Sequence, residues 1–276
     1  MSAWLSQFLE QPGDKAPWLD GNRAMYCIID RVRHPKALEY LYKQDDVAGI
    51  ECLSQGTPFN ELNDVGPLWL PVKAGTAVAA KAAELCLANR SGILISSNAD
   101  PQAALLQAKR LLRKNVRAQG DVLARFYDPA FWSALALTAS AQMLYGPWQS
   151  VHIPPANAED TLWRVWLRPQ DRVDTSDAAA FPLHLEDHTL AASTDIRGWY
   201  WVRARASELA GEISDEQLPV VLGNLSLLVE HGIDEGRHLE RLLPRLNQAL
   251  LQDNPHVMSV LSSDMFASEK VKQLEV

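Results

Sequence analysis

Apolar residues along this chain come in short dense blocks parted by Gly, Pro, Asn and Asp. The block at 24–32, AMYCIIDRV, has no polar alternation until Asp30 and predicts a fully buried strand. Residues 35–43 begin with Pro and carry Ala37, Leu38, Leu41 and Tyr42 at helical spacing. GIECL at 49–53 reads as a second short strand, followed by the loop SQGTPFNELNDVGP. WLPV at 69–72 reads as an edge strand, because Pro71 cannot donate to a ladder. The Ala-rich stretch from Thr76 to Asn89 predicts a helix, and GILISS at 92–97 another strand. Asp100-Pro101 opens a helix whose apolar face is Ala104, Leu105, Ala108, Leu111 and Leu112. VLARFYDP at 122–129 reads as a buried strand with one Arg inside it, and its Asp128-Pro129 starts a helix to about 144. Strands alternating with helices predict an α/β first lobe, a mostly parallel sheet with helices on both faces.

Past Gly146-Pro147 the pattern changes. TLWRVWLR at 161–168 and GWYWVRAR at 198–205 alternate like strands and predict a short β ribbon, with an acidic, Ala-rich loop at 169–197 between them. Helices are predicted from Asp215 to His231-Gly232, from Asp234 with a kink at Pro244, and over Pro255 to Phe266. The expected organisation is an N-terminal helix and linker at 1–23, an α/β lobe at 24–150 and a mixed, mainly helical lobe at 151–276.

Charge narrows the choice of partner. With 34 acidic and 26 basic residues the chain carries −8 at pH 7, which disfavours nucleic acid as the main ligand. The basic run Lys109, Arg110, Arg113, Lys114 and Arg117 reads as a solvated face. Three scattered Cys, at 27, 52 and 86, make no disulfide framework, and Cys27 and Cys86 sit in apolar runs. The N-terminus lacks a basic region followed by a long apolar run, and no apolar stretch reaches the ~20 residues that span a bilayer. A cytoplasmic protein without membrane insertion is expected.

Few residues suggest chemistry. A buried Arg125 needs a carboxylate, and Asp30 or Asp128 can supply one; the pair reads as a structural tie or as members of a binding or catalytic constellation. His184 and His188, in HLEDH, have the spacing of helical metal ligands, but the context is loop-like and a third ligand is missing, so no metal is expected. Gly-x-Ser-x-Gly, Gly-x-Gly-x-x-Gly and P-loop motifs are absent. Nine Trp is a high count. Trp163, Trp166, Trp199 and Trp201 on the predicted ribbon, and Trp4 and Phe8 on one face of the N-terminal helix, are core aromatics or partner-binding anchors.

MYCIIDRV, with Asp30 at the end of its strand, GTPFNEL followed by GPLWLPV, GILISS, LLRK at 111–114 and VLARFYDPAFW form an ordered set. Over residues 24–150 the chain resembles the bacterial type VI secretion adaptor chaperones, the Tec or Tap (VasW-like) proteins. Their core was long catalogued as a domain of unknown function. The resemblance implies a cytosolic adaptor that binds one effector and helps mount it on the VgrG spike, with no cofactor and no enzymatic activity. It carries Asp30, Arg125 and Asp128 over as core motif residues. Two other readings are an enzyme with a site between the lobes involving Arg125 and Asp30, and a small-molecule-binding regulator.

Overall fold

In the computed structural model, the residues described are 2–19, 24–47, 49–116, 120–157, 160–169, 186–205, 208, 213–214 and 216–275. The apolar block at 25–29 is a strand because every one of its side chains is out of water, on both faces. In chain order the strands are β1 (Gly13–Asp14), β2 (Met25–Ile29), β3 (Glu51–Cys52), β4 (Leu68–Val72), β5 (Gly92–Ser96), β6 (Arg113–Val116), β7 (Gly120–Leu123), β8 (Ser150–Ile153) and β9 (Trp163–Leu167). Seven of them form one sheet in the order β1-β9-β8-β5-β2-β4-β3, and β6 and β7 make a separate hairpin.

Every pairing in these sheets is antiparallel, which corrects the expected mostly parallel sheet. The alternation of strands and helices is real, but its consequence differs. Strands β4 and β5, joined through helix α3 (Ala77–Leu87), do run parallel to each other. They are not neighbours, because β2 lies between them and pairs antiparallel with both. Pro71 of β4 sits where its missing N–H does no harm. Leu53 N–H donates to the Pro67 carbonyl, so alternate residues 67, 69 and 71 turn their backbone groups the same way, and β3 ends before reaching Pro71.

The remaining helices are α1 (Ala3–Leu9), α2 (Ala37–Tyr42), α4 (Pro101–Leu111), α5 (Pro129–Thr138), α6 (Ala141–Tyr145), α7 (Asp187–Arg203), α8 (Leu218–Glu230), α9 (Gly236–Arg241), α10 (Leu243–Leu246), α11 (Pro255–Leu261) and α12 (Ala267–Leu274). Their starts follow the expected chemistry. Thr76 accepts from Ala79 N–H, Asp100 from Gln102 and Ala103 N–H, and Asp128 from Phe131 N–H, the last two with Pro next in line. The helix expected from Asp234 breaks at Leu242, two residues before Pro244.

The chain divides into two compact units, residues 4–196 and residues 197–276 with the first three. In the larger unit, Met25, Cys27 and Ile29 of β2 face Val78, Ala79, Ala82 and Cys86 of α3 and Ala37 and Leu41 of α2. The Cys27 and Cys86 thiols meet there at 3.2 Å, both free. An aromatic group, Phe126, Trp132, Tyr145 and Trp148, packs ring on ring at 5.6–6.4 Å, and Trp148 Nε1 donates to the Ala104 carbonyl of α4. The expected ribbon is half right. TLWRVWLR becomes β9 inside the main sheet, while Gly198–Arg203 lies in α7 and is corrected from strand to helix.

In the smaller unit the buried ammonium of Lys270 donates to the Leu261 carbonyl at 2.7 Å and the His231 carbonyl at 3.2 Å. Leu261 is the last residue of α11 and His231 is the C-cap of α8, so a cation there suits both helix dipoles. Replacing Lys270 by Met keeps the buried stem and removes the donors. Urea unfolding followed by far-UV circular dichroism should show a loss of about 1.5–3 kcal/mol; a change below about 0.5 kcal/mol would refute the double cap.

Candidate functional site: crossed ion pairs at one end of the sheet

The end of β2 meets the start of β5 through Ile29 opposite Gly92 and Asp30 N–H on the Ser91 carbonyl. Only glycine fits at 92, since a Cβ there would lie 2.0 Å from the Ile28 carbonyl oxygen and 2.8 Å from Cys86 Sγ. The turn into β5 is tight: Asn89 and Arg90 both have left-handed backbones, with φ of 58° and 51°. That turn aims the Arg90 carbonyl at Arg33, which donates to it at 2.8 Å.

Two ion pairs knit this end to the loop after β7. Arg125 Nη2 pairs with Asp30, and Arg33 Nη2 pairs with Asp128 at 2.5 Å. Asp30 and Arg33 are three residues apart, as are Arg125 and Asp128, so the segments DRVR and RFYD match in register with charges reversed. Each carboxylate also accepts a backbone N–H: Asp30 from Val32, and Asp128 from Phe131 at the start of α5. Arg31, between the pairs, donates to the Gly66 and Asn63 carbonyls of the loop before β4.

Asp30 is the partner expected for Arg125, but the setting differs from the expected buried strand. β7 stops at Leu123 and belongs to the hairpin, and Arg125 lies in the turn that follows. Its side chain is 41% exposed against 3% for Asp30; Arg33 is 33% exposed against 4% for Asp128. The carboxylates are therefore inside and the guanidiniums outside. Burial works against the Arg125 charge, but the Asp30 carboxylate outweighs it and holds the guanidinium above its ordinary value. Burial, reinforced by the Asp30 charge, pushes the neighbouring Tyr127 phenol well above the usual tyrosine range. Arg33 is the member that sequence reading missed. The signal was the reversed spacing of DRVR and RFYD.

The candidate aromatic anchors lie elsewhere, mostly inside. Trp163, Trp166 and Trp199 are buried, as is Phe8, whose ring lies under the Arg164 guanidinium at 4.5 Å. Trp4 is half-buried and stacks on His188. Trp201 is half-buried beneath the Arg205 guanidinium, itself tied to Glu240. On a helix, 199 and 201 are about 200° apart, so they present no shared face. His184 lies outside the described residues. Among the described residues no three His, Cys, Asp or Glu converge as a metal site.

The geometry gives two expected outcomes. A double-mutant cycle of Asp30→Asn and Arg125→Gln should show coupling of about 1–2 kcal/mol, below the 3–5 kcal/mol of a fully buried broken pair, because water screens the exposed guanidinium. Additive losses would show that the pair contributes nothing. Second, the Tyr127 and Tyr145 phenols are neutral in the fold with raised values, against an ordinary value of 10.0. Their contribution is complete below pH 10 and is lost as pH rises above it, at about 1.4 kcal/mol per unit for each. Urea midpoints from about pH 9 to 11.5 should fall less steeply in Tyr127→Phe than in the parent; equal slopes would contradict this.

Residues 25–144 match the family model described as a domain of unknown function (DUF4123). The matched segment runs from the start of β2 into α6 and contains all four members of the crossed pairs. No curated protein and no solved structure matches the chain.

Proposed function

We propose that this protein is an adaptor chaperone of type VI secretion, which binds an effector and helps seat it on a VgrG spike. The observation that carries the reading is the DUF4123 match over residues 25–144, a domain known in effector chaperones of that system. The same segment holds the MYCIIDRV, GILISS and RFYDP motifs on which the resemblance rests.

The site supports binding better than turnover. Its two carboxylates are buried and already engaged, each by an arginine and by a backbone N–H group, so the side facing water presents guanidinium and no carboxylate. Arginine cannot serve as a general base. No helix among the described residues is long and apolar enough to cross a membrane. On this reading, work is done by binding free energy alone, with no nucleotide or cofactor.

The test is co-expression with candidate effectors and VgrG proteins of the same bacterium. The effector should be soluble and co-elute with this chain, and adding VgrG should give a ternary complex. An effector equally soluble alone, with no co-elution, would refute the proposal.

A further inference from the structure

We infer that the outward side of the crossed ion pairs is a docking surface for an acidic peptide segment of a partner protein. This rests on the reading of the chain as a partner-binding adaptor and says where, and to what chemistry, it binds.

The first observation is the orientation of the pairs. Both carboxylates are sealed at 3–4% exposure while Arg125 and Arg33 keep 41% and 33%, so solvent meets guanidinium at this end of the sheet. A guanidinium has five N–H donors. Arg125 gives Nη2 to Asp30, and Arg33 gives Nη2 to Asp128 and Nη1 to the Arg90 carbonyl. Donors therefore remain for a further acceptor, and the planar fork suits a carboxylate.

The second is the apolar surface beside them. Val32, between the two paired residues of DRVR, is 61% exposed, and Val65 is 52% exposed. The loop that carries Val65 is tied to Arg31, the residue before Val32, by the bonds of Arg31 to the Asn63 and Gly66 carbonyls. Glu61 and Asp64 of that loop are also exposed, so Arg33 and Arg125 are the groups through which an acidic segment would be held. Exposed β-branched residues flanking half-open arginines fit a segment in which Asp or Glu alternates with apolar side chains.

The third is charge complementarity. The chain as a whole carries −8, so an acidic segment is repelled by most of it and steered to a cationic patch.

The test is selection of a phage-displayed random dodecapeptide library on the full chain, with the enriched peptides synthesised and titrated by fluorescence polarisation. Enriched peptides should combine Asp or Glu with Val, Ile or Leu. Val32→Glu should weaken them about tenfold or more with an unchanged melting temperature, and raising NaCl from about 50 to about 500 mM should weaken them severalfold. Should Val32→Glu fail to fold, Val65→Glu gives the same reading from another loop. No enrichment, enrichment without acidic residues, or full affinity in a folded Val32→Glu would each overturn the proposal. Undiminished effector capture by Val32→Glu removes this face and keeps the chaperone reading. Acidic peptides bound through Val32 beside an effector that stays insoluble keep the face and remove the chaperone reading.

Discussion

A buried carboxylate just past the end of an interior strand has to be compensated, and much of the larger unit is arranged around that need. Asp30 directly follows β2, which has a partner strand on either side, and its side chain is almost wholly withdrawn from water. An unpaired charge there would cost several kcal/mol. One backbone N–H and one guanidinium remove that cost, and the guanidinium comes from 95 residues further along the chain. The second pair repeats the bridge in the opposite sense, and its carboxylate also starts α5. The loop after the β6–β7 hairpin is thus fixed to the sheet at two points in one register. The alternative of apolar packing at the same place would stabilise as well or better; what opposed charges add is a single allowed alignment of DRVR on RFYD.

Features decided within a few residues were legible in the sequence. Asp128-Pro129 opens a helix because a carboxylate three positions ahead of an N–H and a ring that needs no donor are local facts. The buried strand at 25–29 was legible because nothing in it tolerates water. Strand direction was not. The pattern strand–helix–strand is identical whether two parallel strands touch or admit a third between them, and the inserted β2 is set by contacts far apart in sequence. GWYWVRAR misled for another reason. Over eight residues its aromatics mimic a strand, but Ala192, Ile196, Trp199 and Tyr200, all buried, have the helical period once the window opens upstream.

The tryptophan count has a structural explanation. Trp69, Trp132, Trp148, Trp163, Trp166 and Trp199 are buried, and Trp4, Trp18 and Trp201 are half-buried against His188, Trp163 and Arg205. In the larger unit, which holds seven of the nine, a seven-stranded sheet is packed by helices α1–α6, none longer than eleven residues, and fills its layers with few, large side chains. High aromatic content then reflects how the core is filled, and it does not locate an interface. The Asp30, Arg125 and Asp128 motif was informative at the sequence level because its residues are costly to bury and must be explained by each other.

The orientation of the pairs also limits what their outer side can do. Each guanidinium is already half-neutralised by a buried carboxylate, so a third carboxylate arriving from a partner meets a weakened field and a group already held in place. The second circumstance favours binding, since the side-chain entropy of ordering an arginine is lost on folding rather than on docking. The first means that such contacts contribute orientation and selectivity more than affinity. Most of the binding free energy would have to come from apolar contact, and at this end of the sheet that means Val32 and Val65. A surface of this kind reads the spacing of acidic and apolar residues in an extended segment, which is the demand placed on an adaptor that must accept one cargo and refuse others.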